Sequence, residues 1–454
     1  MSQQSLLTRA QQQPAPSVGA RLDRLPIVRT HRTLTAAVGV GLFFDFFDSN
    51  LSGTIGKVLQ ADFGFSANSL KLVLASAFVG QFVGSIVFGR LADRLGRRSA
   101  FMVNLAVYSL FTLAGAFSPN AGWLIATRFL AGLGIGAETA LSDCYLAEML
   151  PASRRGRFVA WAYTVGFLAV PAVGFAALWL APRQLFGVDG WRVLFVLGSL
   201  GAAAVWVLRR RLIESPRWLA ARGRHAEAEQ LVAALEAQAT VLPPVAAAAE
   251  STVEREGGLR LLLRPPYLRR TAMIWLFCVL SAVVYYGFGT LAPQVLAVKG
   301  FSIVKGLGYT ALSFCGYPVG SLLSVPLMDR FERKRLLATS AILTALAGLG
   351  FGYAGSGTAL VLCGFAYTLL SNVFANTSHV YLSEQYPTHV RTSAAGAAYS
   401  LSRLSAAALP FVLLPVLTHH GAGWLFGAVA GCVGVLVLDV LILGHRTTGR
   451  PVDD

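Results

Sequence analysis

Charge is scarce in this chain. Only 13% of its 454 residues are Asp, Glu, Lys or Arg, against 55% hydrophobic, a balance that excludes a soluble domain with a solvated surface. Cysteine is scarce too. Cys144, Cys278, Cys315, Cys363 and Cys432 fall one per apolar segment without metal-ligand spacing, so they read as small packing residues, and neither a disulfide framework nor a zinc site is expected. Residues 1–33 are polar and lack the short apolar core and small-residue cleavage site of a secretory signal, so the first apolar run is expected to direct insertion. No catalytic triad and no nucleotide-binding loop is present. Gly132-Leu133-Gly134-Ile135-Gly136 lies within an apolar helical run and follows no strand, so it reads as close helix packing. No enzymatic chemistry and no cofactor is expected.

What the chain does have is a series of apolar runs about as long as a bilayer span. Twelve are placed at 34–57, 70–91, 99–118, 121–147, 157–181, 190–208, 271–296, 305–328, 336–355, 357–383, 392–418 and 421–444. They are too long for barrel strands, and a backbone in hydrocarbon must satisfy its own hydrogen bonds, so an all-α membrane protein is expected. The net charge of +16 resides mainly in the short links, which argues against nucleic acid as a partner and for the lipid bilayer. Of the 38 Lys and Arg residues, Lys57, Lys71, Arg183, Arg192, Lys299 and Lys305 fall on one side, Arg128 and Arg403 lie within spans, and the rest are on the other side. The positive-inside bias then places both termini in the cytoplasm.

Residues 209–270 form the one long link, marked by Pro243-Pro244 and Pro265-Pro266. The expected organisation is a tail (1–33), a six-helix bundle (34–208), a linker (209–270), a second six-helix bundle (271–444) and a tail (445–454). Within the linker, residues 225–239 read as a short amphipathic helix, with Ala228, Leu231, Val232 and Leu235 forming an apolar stripe. A solvated linker helix is the expectation there.

The two bundles carry one pattern twice. Asp93-Arg94-Leu95-Gly96-Arg97-Arg98 returns 236 residues later as Asp329-Arg330-Phe331-Glu332-Arg333-Lys334. At the same offset Tyr145-Leu146-Ala147-Glu148, Pro151 and Arg155 return as Tyr381-Leu382-Ser383-Glu384, Pro387 and Arg391, and Gly53-Thr54-Ile55 returns as Gly289-Thr290-Leu291. Tyr163 likewise matches Tyr399. Separated matches at one offset indicate parallel, pseudo-symmetric repeats whose interface holds a site near the midplane.

At these residues the chain resembles the major facilitator superfamily of secondary transporters, and the resemblance covers all twelve spans. Gly89-Arg90-Leu91-Ala92-Asp93-Arg94-Leu95-Gly96-Arg97-Arg98 is similar to that superfamily's signature. Arg128-x-x-x-Gly132-x-Gly134 resembles its fourth-span motif, and Glu214-Ser215-Pro216-Arg217-Trp218-Leu219 resembles the segment after span six in sugar and organic-ion porters. Asp45-x-x-Asp48 resembles the pattern of aromatic-acid:proton symporters, with Phe46 where that pattern has glycine. Glu138, Tyr285-Tyr286-Gly287, Glu384-Gln385-Tyr386-Pro387 and Arg403 are similar to bacterial niacin transporters, relatives of the organic-ion carriers and synaptic vesicle protein 2. The resemblance implies the twelve-helix major facilitator fold, a bacterial inner membrane and a small monocarboxylate substrate. Gly166 to Gly174 with Pro171 partly resembles the fifth-span antiporter motif, with Val170 in place of a glycine, which leaves export open.

Asp45 and Asp48 share a face of span one at mid-depth. They are expected to line the central cavity and to carry the coupling proton, because paired ionised carboxylates are costly there. Arg128 in span four is their expected counter-ion, and Glu138 a relay or gate. Arg403 in span eleven has no acidic neighbour in its own span, and its paired donors suit a substrate carboxylate. Tyr285 and Tyr286 are expected to stack on and bond a flat substrate, with Asn372, Asn376, Trp161, Tyr163 and Tyr399 as further candidates. Asp93, Arg97, Glu148, Arg155, Asp329, Arg333, Glu384 and Arg391 are expected to form a charge latch at the cytoplasmic ends that holds the outward-facing state.

The expected activity is proton-coupled symport of a small organic anion, such as nicotinate or a benzoate, by a monomer whose partners are that carboxylate, protons and lipid. A sugar, organic-cation or drug carrier remains open, as does a non-transporting sensor signalling through residues 209–270.

Overall fold

Each apolar run closes its own hydrogen-bond ladder, as hydrocarbon requires, and among the described residues twelve helices are long and apolar enough to cross a bilayer. The computed structural model describes residues 17–151, 154–185, 187–243, 264–265, 267–385 and 388–444, without the side chains of residues 67, 329, 383, 384 and 388–395.

A short helix α1 (Val18–Asp23) precedes the first half, which comprises α2 (Arg29–Phe63), α3 (Ala67–Leu95), α4 (Arg97–Ala116), α5 (Ala121–Gly136) and α6 (Glu138–Met149). It continues through α7 (Arg155–Phe167), α8 (Ala169–Leu180), a two-residue hairpin of β1 (Gln184–Leu185) and β2 (Val188–Asp189), and α9 (Gly190–Arg209). Helices α10 (Pro216–Ala221) and α11 (His225–Glu236) lie in the linker. The second half runs through α12 (Leu268–Val298), α13 (Ile303–Phe314), α14 (Gly316–Arg330), α15 (Arg333–Tyr353), α16 (Gly357–Glu384), α17 (Thr388–His420) and α18 (Ala422–Leu443).

The helices outrun the expected spans at several ends. Helix α2 begins at Arg29 and ends at Phe63 rather than spanning 34–57, because hydropathy marks only the part in hydrocarbon while Arg29 to Arg32 and Gln60 to Asp62 extend the same helix beyond it. Three spans are broken in two. Spans five and eight break at Leu168 and Cys315, three residues before Pro171 and Pro318, which lack the N–H that would bond the carbonyls of Phe167 and Phe314 four residues earlier. Span four breaks at Ala137, directly after Gly136.

Glycines set the tightest crossings. A Cβ on Gly132 or Gly136 would collide with the backbone of Ala77 or Gln81 in α3, so the glycine run of span four is the packing surface expected of it. Between the halves α2 packs on α12, α3 on α17, α7 on α14 and α8 on α13. A Cβ on Gly53 would lie 3.0 Å from the Cα of Thr290, so the two copies of the Gly-Thr repeat meet face to face. Gly56 abuts Gln294, and Gly174 abuts Ala311. These contacts close the interface on the side away from the termini.

The linker helix departs from expectation. Ala228, Val232 and Leu235 are buried and α11 packs on α1 and α10, so the stripe is covered by the chain's own N-terminal segment rather than left solvated. The dock is fastened by ion pairs from Arg21 and Arg24 to Glu236 at 2.6 and 2.7 Å, and from Arg21 to Glu229.

Candidate functional site

A cavity of about 630 Å³ lies between the halves and runs from mid-span toward the termini-bearing side, where Arg90 and Asp93 line it. Helix α12 contributes Tyr285 and Tyr286, α17 contributes Tyr399 and Arg403, and α7 contributes Tyr163. Arg403 is held by Tyr286, whose hydroxyl accepts a hydrogen bond from its Nη1, and its guanidinium stands over the Tyr286 ring at 5.3 Å. Among the described residues no carboxylate pairs with Arg403. The rings of Tyr285 and Tyr286 meet edge-on at 4.7 Å, and Phe78 meets Tyr286 edge-on at 5.1 Å. Aromatic rings thus surround the mid-span cation Arg403, in a cavity whose volume suits a small molecule.

Tyr163 and Tyr399, matched by the repeat, face each other through His379. The Tyr399 hydroxyl lies 2.6 Å from His379 Nδ1, and the His379 and Tyr163 rings are 5.6 Å apart. Tyr163 in turn donates to Asp143 at 2.8 Å.

The span-one acids lie behind this wall rather than on it. Asp45 and Asp48 are 3% and 2% exposed, and the α2 side chain in the cavity is Phe46. The expected cavity-lining position is thus corrected: the shared face of the two acids turns into the first bundle. Arg128 donates to Asp48 at 2.9 Å and to Thr112 at 3.1 Å, and Thr112 donates to the other Asp48 oxygen at 3.1 Å. Phe195 covers the guanidinium at 4.7 Å. Asp45 takes no part in that pair. Its Oδ1 has no protein hydrogen-bond partner, and it borders a small void with Asn104 and Glu138, whose Nδ2, Oδ1 and Oε2 atoms are likewise without one. Asp45 lies within electrostatic reach of Glu138, Arg403, Asp48 and Arg209.

Glu138 is bound at 2.5 Å by Arg209, a residue not singled out from the sequence. Arg209 is fully buried beneath Phe101 and passes over Gly41, where any side chain would collide with it.

The sequence profile of the Major Facilitator Superfamily matches residues 38–410 and 305–452. The chain belongs to that superfamily. It is 29% identical to the "Niacin transporter NiaP" of Acinetobacter baylyi over 96% of this chain and 98% of that one. It is 30% identical to the "Inner membrane metabolite transport protein YdjE" of Escherichia coli over 95% and 96%. Among solved structures, the xylose transporter XylE from E. coli in a partially occluded inward-open conformation superposes with a TM-score of 0.76 at 19% identity, covering 93% of this chain and 99% of that one. As a member of the major facilitator superfamily, the chain is a multi-pass membrane transporter of small molecules.

The superfamily signature at the end of α3 forms a closed network within the first half. Arg97 binds Asp93 at 2.8 Å and Glu148 at 3.0 Å, while its backbone N–H donates to Glu214 at 2.9 Å. Arg155 does not join it, lying instead 3.6 Å from Asp23. In the second half Arg333 donates to the carbonyl of Met328 at 2.8 Å, and the side chains of Asp329, Glu384 and Arg391 lie outside the described residues.

Three further candidates are not brought to the cavity. Asn372 and Asn376 share a face of α16, but that face packs on α14, where Asn376 donates to Ser324 at 2.8 Å and Asn372 lies against Gly320. Trp161 points outward from α7 with 52% exposure and lines a different pocket. The residues overlooked in this superfamily member are His379, Asp143 and Arg209. His379 carried a usable signal, as the one histidine inside any expected span.

Proposed function

We propose that the protein is a proton-coupled symporter of a small organic anion, an aromatic monocarboxylate of the nicotinate or benzoate type. The observation that carries this reading is Arg403, a guanidinium in the inter-half cavity with aromatic neighbours and no carboxylate partner among the described residues. A planar carboxylate matches its paired donors, and the flat ring of such a substrate matches Tyr285, Tyr286 and Tyr399. The similarity to a niacin transporter supports the same substrate class.

The proton is assigned to Asp45, and Asp48 to a structural pair with Arg128. A carboxyl that faces another carboxyl and holds no protein hydrogen bond can take up and release a proton without breaking a structural bond, whereas Asp48 cannot. Asp45 senses Arg403 electrostatically, so arrival of a substrate anion on Arg403 and protonation of Asp45 are linked, each changing the charge the other meets. With both charges compensated the cavity closes toward the termini and reopens past the Gly53–Thr290 contact. The termini are assigned to the cytoplasm by the distribution of basic residues, so the cavity described above is the inward-facing one. The similarity to an inner membrane transport protein of Escherichia coli supports a bacterial inner membrane.

The test is transport of nicotinate and of uncharged nicotinamide by the Arg403→Ala protein in liposomes. Selective loss of nicotinate transport is expected. An equal loss for both compounds would contradict the anion reading.

A further inference from the structure

A second cavity of about 630 Å³ lies away from the inter-half site, on the termini-bearing side of the first half. Arg24 comes to it from the α1–α2 link, Arg32 from the first turn of α2, Arg154 from the residue before α7, and Arg157 from the first turn of α7. Among the described residues no carboxylate lines it. Arg24 is partly compensated by Glu236 at 2.7 Å, but Arg32, Arg154 and Arg157 make no ion pair among the described residues. The nearby acids are already engaged, since Glu236 also holds Arg21 at 2.6 Å and Asp23 holds Arg217 at 2.9 Å and Arg155 at 3.6 Å.

The other wall of this cavity is apolar. Phe158 and Trp161 line it from α7, and Trp161 is 52% exposed on the outer surface of the bundle. Trp161 is six residues into α7, hence about 9 Å along a helix that crosses the membrane. The pocket therefore joins a cationic floor at the membrane edge to an indole at the level where tryptophan marks the boundary between headgroups and acyl chains.

We propose that this cavity binds the phosphate headgroup of an anionic membrane lipid. Guanidiniums from two separate helix starts and one link converge on a common space, which suits a single multivalent acceptor such as a phosphodiester. The apolar wall gives the attached glycerol and acyl chains a way out along Phe158 and Trp161, and basic pockets between membrane helices recognise acidic headgroups on this basis. Free phosphate offers the same oxygen chemistry but makes no use of the aromatic wall. A bound headgroup ties the α1–α2 link, and through Arg24 the docked linker helix, to the start of span five.

The test uses the full purified chain. In detergent, added phosphatidylglycerol is expected to raise the melting temperature more than phosphatidylcholine, because a ligand of the folded state stabilises it. The Arg32→Gln, Arg154→Gln, Arg157→Gln triple variant is expected to lose that excess while keeping its response to phosphatidylcholine. Should the triple variant fail to fold, tryptophan fluorescence decides. Phosphatidylglycerol with brominated acyl chains is expected to quench the unmodified protein more than brominated phosphatidylcholine does, with the excess absent from Trp161→Phe. Equal effects of the two lipids on the unmodified protein, an excess retained in the variants, or a thermal shift reproduced by sodium phosphate alone would each overturn the proposal.

Discussion

Arg128 and Asp48 form a closed ion pair inside the first bundle, 2.9 Å apart and respectively 0% and 2% exposed, with Thr112 bonded to both. Asp45, three residues earlier on the same helix, is excluded from it. Breaking a buried pair by removing one partner typically costs about 3–5 kcal/mol. Asp48→Asn is therefore expected to lower the melting temperature sharply, as read by thermal denaturation of purified protein. Asp45→Asn is expected to fold normally, to exchange substrate across the membrane, and to lose pH-driven accumulation. Accumulation at the unmodified level by Asp45→Asn would assign the proton elsewhere.

Arg403 should govern affinity rather than folding. Hydrogen bonds to a charged group contribute about 1.5–3 kcal/mol, so Arg403→Ala is expected to weaken carboxylate binding by roughly ten- to a hundredfold. Arg403→Lys keeps the charge but not the paired donors and should fall between the two. Titration calorimetry with nicotinate measures this directly, and unchanged affinity in Arg403→Ala would remove the residue from the site.

The contact between Gly53 and Thr290 should act as a doorstop. A leucine at position 53 has no room while α2 and α12 touch, so Gly53→Leu is expected to separate the halves on the side away from the termini. In that background a cysteine placed at Gln294, which is 1% exposed, should react faster with a membrane-impermeant thiol reagent added from that side. No change in labelling rate would mean that the crossing yields elsewhere.

Glu236 makes the dock of α1 on α11 dependent on pH. Hydrogen bonds from Arg21 first and from Arg24 hold its carboxyl down to about 2, against an ordinary 4.5. Because the docked value is the depressed one, the stabilisation is complete above about pH 4.5 and fades as the pH falls toward 2. Glu236→Gln should remove it at every pH, seen as faster hydrogen exchange in residues 18–23 at pH 7. Protection in Glu236→Gln equal to that of the unmodified chain would show that the apolar stripe of α11 holds the dock alone.

The fold was legible because hydrocarbon imposes a simple rule on the backbone, and because the repeat at 236 residues left matched residues such as Gly53 and Gly289 that meet at the interface. The lining of the cavity was legible at Arg403, a charge rare within a span, and at the paired Tyr285 and Tyr286. It was not legible where the rotation of a helix decides. Asp45 and Asp48 share a face, but packing turns it toward Thr112 and Asn104 and leaves Phe46 in the cavity. Asn372 and Trp161 were misplaced for the same reason, since spacing along a helix shows which residues lie together and not which neighbour they meet. Arg209 was hidden by its place at the end of span six beside Arg210 and Arg211, where it resembled a membrane-flanking cation.

In the proposed cycle a proton gradient drives uptake of an aromatic carboxylate through this chain. The direct measurement is accumulation of radiolabelled nicotinate, and in parallel benzoate, by liposomes containing the purified protein with an acidic exterior and an alkaline interior. Accumulation of at least one of them above its level in protein-free liposomes, abolished by a protonophore and by Asp45→Asn, is the predicted result. Protein-dependent entry that only equilibrates, or accumulation that survives collapse of the gradient, would contradict it.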